Sequence, residues 1–387
     1  MPIDPTVKLA AELAQRQENG LLRRRRSTES AQGARVVIEG REYLSFASND
    51  YLGLAADPDI AQAACAAAQQ WGVGAGASHL LTGHHALHEA FEVAFARFVG
   101  MESALLFSTG YAANLGVITS LLGRHDAVFA DRLNHASLVD AARLSGADHQ
   151  RYSHNDLADL ERRLAASTAA TKLIATDAVF SMDGDIARVP ELLALAEKYD
   201  AWLYLDDAHG FGVLGEQGQG VLAACPLPRD SRLVYLATLG KAAGVAGAAV
   251  AGSATLIEFL VNHARTWIYT TAQPPLLAAA ALKSLELIAA GGARREHLAA
   301  LIAHLRERAA RLPWPLLDSP TPIQALVVGD NATALRLSQH LADHGIWLPA
   351  IRPPTVPEGT ARLRISLSAA HRLEDIDQLC VALEAVA

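Results

Sequence analysis

Leu203-Tyr-Leu-Asp-Asp-Ala-His209-Gly210 decides the reading of this chain, because an apolar run stops there at two carboxylates and an imidazole. A short run of this kind, without polar alternation, reads as a strand buried on both faces of a parallel sheet. In open α/β sheets, ligands bind just beyond the carboxyl ends of the strands. Carboxylates placed there are costly to desolvate unless they find partners. A pyridinium nitrogen is one such partner, and an aspartate beside it keeps the ring protonated and an electron sink. Taken alone, the same string also fits a metal site or a loop start.

The next apolar run, Leu233-Val-Tyr-Leu-Ala-Thr238-Leu-Gly240-Lys241, narrows the choice. A lysine just past a buried strand, preceded by small residues, can point into the same cleft. Desolvation there lowers its proton affinity and makes the amine nucleophilic toward carbonyls. By itself Lys241 would read as a surface cation; one strand after an acidic strand end, it reads as a Schiff-base lysine. Thr238 can place a hydroxyl on a phosphate. Ser108-Thr-Gly110-Tyr111 follows the run 104–107 and opens a helix, whose N-terminal N–H groups and partial positive charge suit an anion. It is not a Walker loop, since no GxxxxGK[ST] occurs. Asp131-Arg-Leu-Asn-His135 and Phe180-Ser181-Met-Asp183-Gly184-Asp185 follow the runs 127–130 and 173–176. Singly, His135 fits a helix cap and Ser181 a turn. Five strand ends that each offer a group suited to one phosphorylated aromatic ring point together to pyridoxal 5′-phosphate (PLP).

Working outward, the apolar runs at 104–107, 127–130, 173–176, 202–205, 233–237 and 248–251 alternate with helical patterns. This predicts an α/β fold with a mostly parallel central sheet and helices on both faces. Pro190 ahead of Glu191-Leu-Leu-Ala-Leu-Ala marks a helix start. Upstream, residues 6–26 read as an amphipathic helix, followed by β segments at 36–38 and 43–46. Downstream, a helical region over 276–311 is interrupted near Gly291-Gly292. A strand at 323–328, a helix at 332–343 and strands at 346–351 and 363–367 follow it. The expected organisation is an N-terminal helix and β segment (1–45), a large PLP-binding domain (46–280) and a small α/β C-terminal domain (281–387).

With 387 residues, 51% of them hydrophobic, the chain has ample material for a large core. A net charge of −8 gives no electrostatic reason to coat nucleic acid. The basic run Arg23–Arg26 is too short to change that, and as an ordinary feature it reads as a solvated helix face. Cys65, Cys225 and Cys380 are far apart and form no CxxC pair. Neither a disulfide framework nor a metal site is therefore expected, and a reducing cytoplasm fits. The stretch 242–257 is too short and too weakly apolar for a membrane span, and the first twenty residues carry no apolar signal core.

The motifs SNDYLGL (48–54), STGYAAN (108–114), DRLNHASL (131–138), VFSMDGD (179–185), DDAHGFGVLGEQG (206–218) and TLGKAAGVAGAA (238–249) occur in order. Together they resemble the α-oxoamine synthases, fold-type-I PLP-dependent transferases, and the resemblance runs from about Tyr43 to the C-terminus. It implies that Lys241 carries PLP and moves protons at the substrate α-carbon, that Asp206 pairs with the pyridine nitrogen and that His135 stacks on the ring. It places His209 and Ser181 at the ring's oxygen side, Gly110 and Tyr111 around phosphate and ring, and Thr238 on phosphate. Arg352 would hold the amino-acid carboxylate and Asn49 would lie near the substrate. Thr355 and one N-terminal arginine, Arg23 by choice with Arg24 or Arg25 as alternatives, would contact an acyl substrate.

Within the group, Ala350-Ile-Arg352-Pro-Pro-Thr355-Val-Pro and Leu363-Arg-Ile-Ser-Leu-Ser resemble the member that joins L-alanine to pimeloyl-CoA or pimeloyl-acyl carrier protein in biotin biosynthesis. The resemblance also implies a homodimer, with Gly72–Gly83 reaching the neighbouring chain's cleft. Two positions depart from the family pattern: Asp177 stands where glutamate is usual, and His79 where arginine is common. A related synthase using glycine with another acyl-CoA, an aminotransferase or lyase of the same fold, and a non-catalytic PLP-binding scaffold are the other readings.

Overall fold

The computed structural model describes residues 4–19, 21–225 and 230–386. The chain enters through β1 (Arg35–Ile38) and β2 (Arg41–Ser45), an antiparallel pair turned by Glu39-Gly40. Both turn residues have positive φ (50° and 77°), the backbone that a tight two-residue hairpin requires.

Seven strands follow in one sheet: β3 (Ser103–Phe107), β4 (Ala127–Asp131), β5 (Asp148–Tyr152), β6 (Lys172–Asp177), β7 (Ala201–Asp206), β8 (Leu233–Thr238) and β9 (Ala248–Gly252). Their spatial order is β3-β9-β8-β7-β6-β4-β5. Only β9 runs antiparallel to its neighbours, so the carboxyl ends of β3, β4, β6, β7 and β8 share one edge. Alternate side chains feed two separate cores. Leu233, Tyr235 and Ala237 of β8 join Phe91, Phe95, Leu160 and Leu193 of the helices on one face. Val234 and Leu236 join Val117, Leu138 and Leu256 of the helices on the other. Burial on both faces is why these strands lack a polar alternation in sequence.

A smaller unit is built from β10 (Ile323–Gly329), β11 (Ile346–Trp347), β12 (Ala350–Ile351) and β13 (Ala361–Ser366). β10, β13 and β12 form one antiparallel sheet, while β11 pairs in parallel with β2. The single strand expected over 346–351 is therefore two, in different sheets. Pro349 lies at the break, where its missing N–H cannot serve a ladder.

The N-terminal helix expected to Arg26 stops at Glu18. Asn19 closes it, its N–H donating to the Gln15 carbonyl (3.0 Å), and the Asn19-Gly20 dipeptide is a stop signal. Arg23–Arg26 consequently lie outside any helix or strand and are exposed, not a helix face. The interruption near Gly291 is a real corner, with Pro275–Ala290 and Gly292–Ala309 meeting at 68°. Among the described residues, no single helix is long and apolar enough to cross a membrane.

Candidate active site

The shared strand edge encloses a cavity of about 180 Å³ lined by Gly110, Tyr111, Asn114, His135, Ser137, Asp177, Ser181, Asp206, Ala208, His209, Leu236, Thr238 and Lys241. Every cofactor residue expected from sequence lies on it.

Lys241 follows β8 through Leu239-Gly240, and its amine sits 2.8 Å from Nε2 of His209. Burial pushes the amine down to about 8, even though Asp206 and Asp177 pull it upward. His209 follows β7, and its Nδ1 lies 2.6 Å from the Tyr51 hydroxyl. Burial holds this imidazole well below its ordinary value, and the cations Lys241 and Arg364 add to that. A neutral His209 can accept from the Lys241 ammonium at Nε2 while donating from Nδ1 to Tyr51.

Asp206 ends β7. Its Oδ2 accepts from Asn114 Nδ2 (2.7 Å) and its Oδ1 from the Ala208 N–H (3.1 Å). Asn114 is locked in turn, since its Oδ1 accepts from Tyr204 (2.6 Å) and its Nδ2 also donates to Ser137 (2.8 Å). The carboxylate is thus aimed by groups that are themselves fixed. His135 caps the helix Ala136–Ser145, its Nδ1 accepting from the Ser137 N–H (3.3 Å), and it also lines the cavity. The cap reading and the ligand reading are both satisfied by one ring. Asp177 accepts from the His135 N–H (3.0 Å). Burial, reinforced by Asp206, raises its carboxyl well above the usual range.

At the other end, Gly110 opens the helix Gly110–Leu121, with Thr109 as its cap. A Cβ placed at Gly110 would stand 3.8 Å from Cβ and Oγ1 of Thr238. The first-turn N–H groups and a threonine hydroxyl thus share this end, where helix geometry leaves donors without intrahelical partners. Tyr111 stands at the rim, 45% exposed, its phenol donating to Asp140. The donor set fits PLP: anion-binding groups at one end, a carboxylate for a ring nitrogen at the other, an imidazole lining the space, and a desolvated amine.

Asn49 lies next to this cavity and leads to a residue that sequence reasoning missed. Arg364 of β13 is 9% exposed, and both terminal nitrogens donate to Asn49 Oδ1 (3.2 Å each). Its remaining partners are the Ser181 carbonyl, the Ser366 hydroxyl and the Tyr51 hydroxyl, all neutral. A buried guanidinium whose hydrogen-bond partners are all neutral suits an incoming carboxylate. Arg23, Arg352 and Thr355 do not line the cavity. Arg23 is on the exposed segment after the N-terminal helix, while Arg352 and Thr355 flank a cis Pro353–Pro354 bond in the loop after β12.

A second unanticipated group braces the Ser181 loop. His154 lies between Asp131 (3.0 Å) and Asp185 (2.9 Å), and Asp131 is fully buried. Burial alone would lower the imidazole, but hydrogen bonds to both aspartates outweigh it and hold His154 up near 10. Because the folded value exceeds the unfolded one near 6.5, the stabilisation is complete below about pH 6.5 and is lost as pH rises toward 10. His154→Asn is expected to cost about 1–3 kcal/mol at pH 6 by denaturant unfolding. The gap from the parent protein should narrow as pH approaches 10, and a pH-independent gap would contradict the charge argument.

The chain matches the family model for aminotransferase class I and II over residues 41–383. It is 61% identical to an 8-amino-7-oxononanoate synthase of Chromobacterium violaceum, covering 96% of each chain. It is 59% identical to the protein of that name from Herminiimonas arsenicoxydans, over 97% of this chain and 98% of the relative. Among solved structures it resembles a Sphingomonas wittichii serine palmitoyltransferase (31% identity, TM-score 0.93, 99% and 98% coverage). It also resembles an 8-amino-7-oxononanoate synthase from Francisella tularensis (30% identity, TM-score 0.78, 89% and 97% coverage). With its PLP-suited cavity at the strand edge, the chain belongs to the class I and II aminotransferase family of PLP-dependent enzymes and, within it, to the 8-amino-7-oxononanoate synthases.

Proposed function

We propose that this chain joins L-alanine to a pimeloyl thioester, carried on CoA or on acyl carrier protein, to give 8-amino-7-oxononanoate, CO2 and free thiol. The observation that carries the reading is the desolvated amine of Lys241 facing the cavity that Asp206 closes, with the buried cation Arg364 beside it. When bound as a Schiff base on Lys241, PLP supplies an electron sink for charge developing at the alanine α-carbon.

The chain's own groups do the rest. Asp206 would hold a proton on the ring nitrogen of bound PLP, and His135 would flank the ring. Arg364, oriented by Asn49, holds the alanine carboxylate, the role that the sequence reading gave to Arg352. The Lys241 amine would remove the α-proton, and a value near 8 suits an amine that must both take and return one. A C–C bond then forms from the α-carbon to the acyl carbon while the thiolate leaves. The alanine carboxylate departs as CO2, and a proton returns to the carbon.

Two neighbouring cavities would take the acyl donor. Lys241 also lines a cavity of about 450 Å³ with Val36, Ile38, Asn49 and Trp347. Thr28, Ile38 and Trp347 also line a third, of about 420 Å³, together with Arg24 and Arg26. Arg24 and Arg26 are therefore better placed than Arg23 for the anionic parts of an acyl donor. A homodimer is part of the proposal: Val73 and Leu81, each 77% exposed, sit on the segment expected to reach the partner.

The test is thiol release across acyl donors. Alanine with pimeloyl-CoA or pimeloyl-acyl carrier protein should release thiol and CO2 in equal amounts, whereas glycine with acetyl- or succinyl-CoA should not. Amino transfer to a keto acid without thiol release would overturn the reading. Arg364→Lys should raise KM for alanine about 10–100-fold, since a lysine loses the planar fork, with little change in KM for the thioester. Equal effects on both substrates would remove Arg364 from the carboxylate.

A further inference from the structure

The sequence Gly83-His-His-Ala-Leu-His-Glu-Ala-Phe-Glu92 closes the glycine-rich segment, lines no part of this chain's own PLP cavity and takes no step in the mechanism. With the preceding turn His79–Gly83 and the helix Ala86–Val99, it gathers His79, His84, His88, Glu89 and Glu92. His88 is committed on both nitrogens: it accepts from the His85 N–H (2.9 Å) and donates to the Gln273 carbonyl (2.9 Å). It has no lone pair to offer.

His84 is different. Its Nε2 lies 3.3 Å from Glu89 Oε2 and 3.8 Å from Glu92 Oε2, and these three donor atoms lie within 4.8 Å of one another. Glu92 is only 8% exposed. Its Oε1 accepts from the Leu106 N–H (2.7 Å), which leaves Oε2 turned toward His84. An ion bound at about 2.0–2.2 Å to nitrogen and oxygen holds tetrahedral donors roughly 3.3–3.6 Å apart. The His84–Glu89 spacing already matches, the His84–Glu92 spacing exceeds it by a few tenths of an ångström, and the two carboxylates, no more than 4.8 Å apart, would close in on the ion. On the far side of His84, Nδ1 is 2.9 Å from Nδ1 of His79, whose ring stacks on Trp267 at 4.7 Å. A fixed partner on the distal nitrogen is what orients a metal-bound imidazole. Glu89 and Glu92 also line an open cavity of about 660 Å³, which leaves the remaining position to water.

We propose that His84 Nε2, Glu89 and Glu92 form a divalent-cation site of the zinc class, with His79 as the positioning residue for His84. The cysteines carry no such site, and histidine and carboxylate supply it instead. The ion would tie the turn that ends the glycine-rich segment to the helix Ala86–Val99. If the cluster were only an ion pair of protonated His84 with the two glutamates, the same distances would occur without metal uptake.

The experiment uses the full-length, PLP-loaded protein after chelator treatment, titrated with Zn2+ by calorimetry and with Co2+ by visible absorption. One ion per chain is expected, with d–d bands of a four- or five-coordinate Co2+. His84→Ala should lose stoichiometric uptake, and Glu92→Gln, which keeps the Leu106 contact, should bind at least about tenfold more weakly. His79→Asn should weaken binding about 10–100-fold. His344→Ala, at the exposed C-terminal cap of the helix Asn331–Asp343, should bind as the parent does. Retained PLP absorbance shows that each variant is folded. Absent or weak, non-stoichiometric uptake by the parent would overturn the site, as would unchanged uptake by His84→Ala.

Discussion

Lys241→Ala is expected to lower turnover by at least about 10⁴-fold and to remove the Schiff-base absorbance of the purified protein. The size follows from two losses at one position. The amine is the covalent anchor for PLP, and a positioned proton-transfer group alone supplies roughly 10²–10⁴-fold. His209 cannot substitute, because burial holds its imidazole far below its ordinary value and it carries no free amine. The fold should survive, since the side chain projects into a cavity and its amine is hydrogen-bonded to the His209 ring. A Lys241→Ala protein that kept both absorbance and turnover would show that another lysine carries the cofactor.

Asp206→Asn should cut kcat by about 10²–10³-fold while leaving PLP attached and KM for alanine little changed. Removing one preorganised electrostatic contact in a water-poor site has that size. The substitution is close in shape but not in charge, so it isolates the role at the ring nitrogen. It also carries a local conflict. Asp206 accepts from Asn114 Nδ2 on one oxygen and from the Ala208 N–H on the other. An amide in its place turns an N–H toward one of these donors whichever way it flips. A modest stability loss should therefore accompany the kinetic one. Unchanged kcat would mean that the carboxylate does not tune the ring.

Much of this site was legible in sequence because its members sit one per strand end. An apolar run marks each strand, and the polar residue that follows it marks the edge. What stayed hidden did so for physical reasons. β5 reads Asp148-His-Gln-Arg-Tyr152, an edge strand whose polar side chains blunt further pairing, so no apolar run announces it. Arg364 is embedded in β13, which is buried along its whole length. Two arginines inside a strand of that kind are costly unless paired, and that cost was the signal available in Ala361-Arg-Leu-Arg-Ile-Ser366. The other arginine, Arg362, pairs with Asp183. His154 gave no local cue, because Asp131 reaches it from the end of β4 and Asp185 from the loop after β6. The metal cluster shows the reverse: the histidines are plain in sequence, but only the structure separates committed His88 from available His84.

The chain has five lysines, Lys8, Lys172, Lys198, Lys241 and Lys283. Lys198 and Lys283 are spent on surface ion pairs with Glu161 and Glu286, and Lys172 donates to the Tyr199 carbonyl. Borohydride reduction of the purified protein, followed by peptide mapping, should place one reduced pyridoxyl-phosphate group per chain on the peptide containing Lys241. A label on any of the other four, or none at all, would contradict the convergence of strand ends on a single PLP ring.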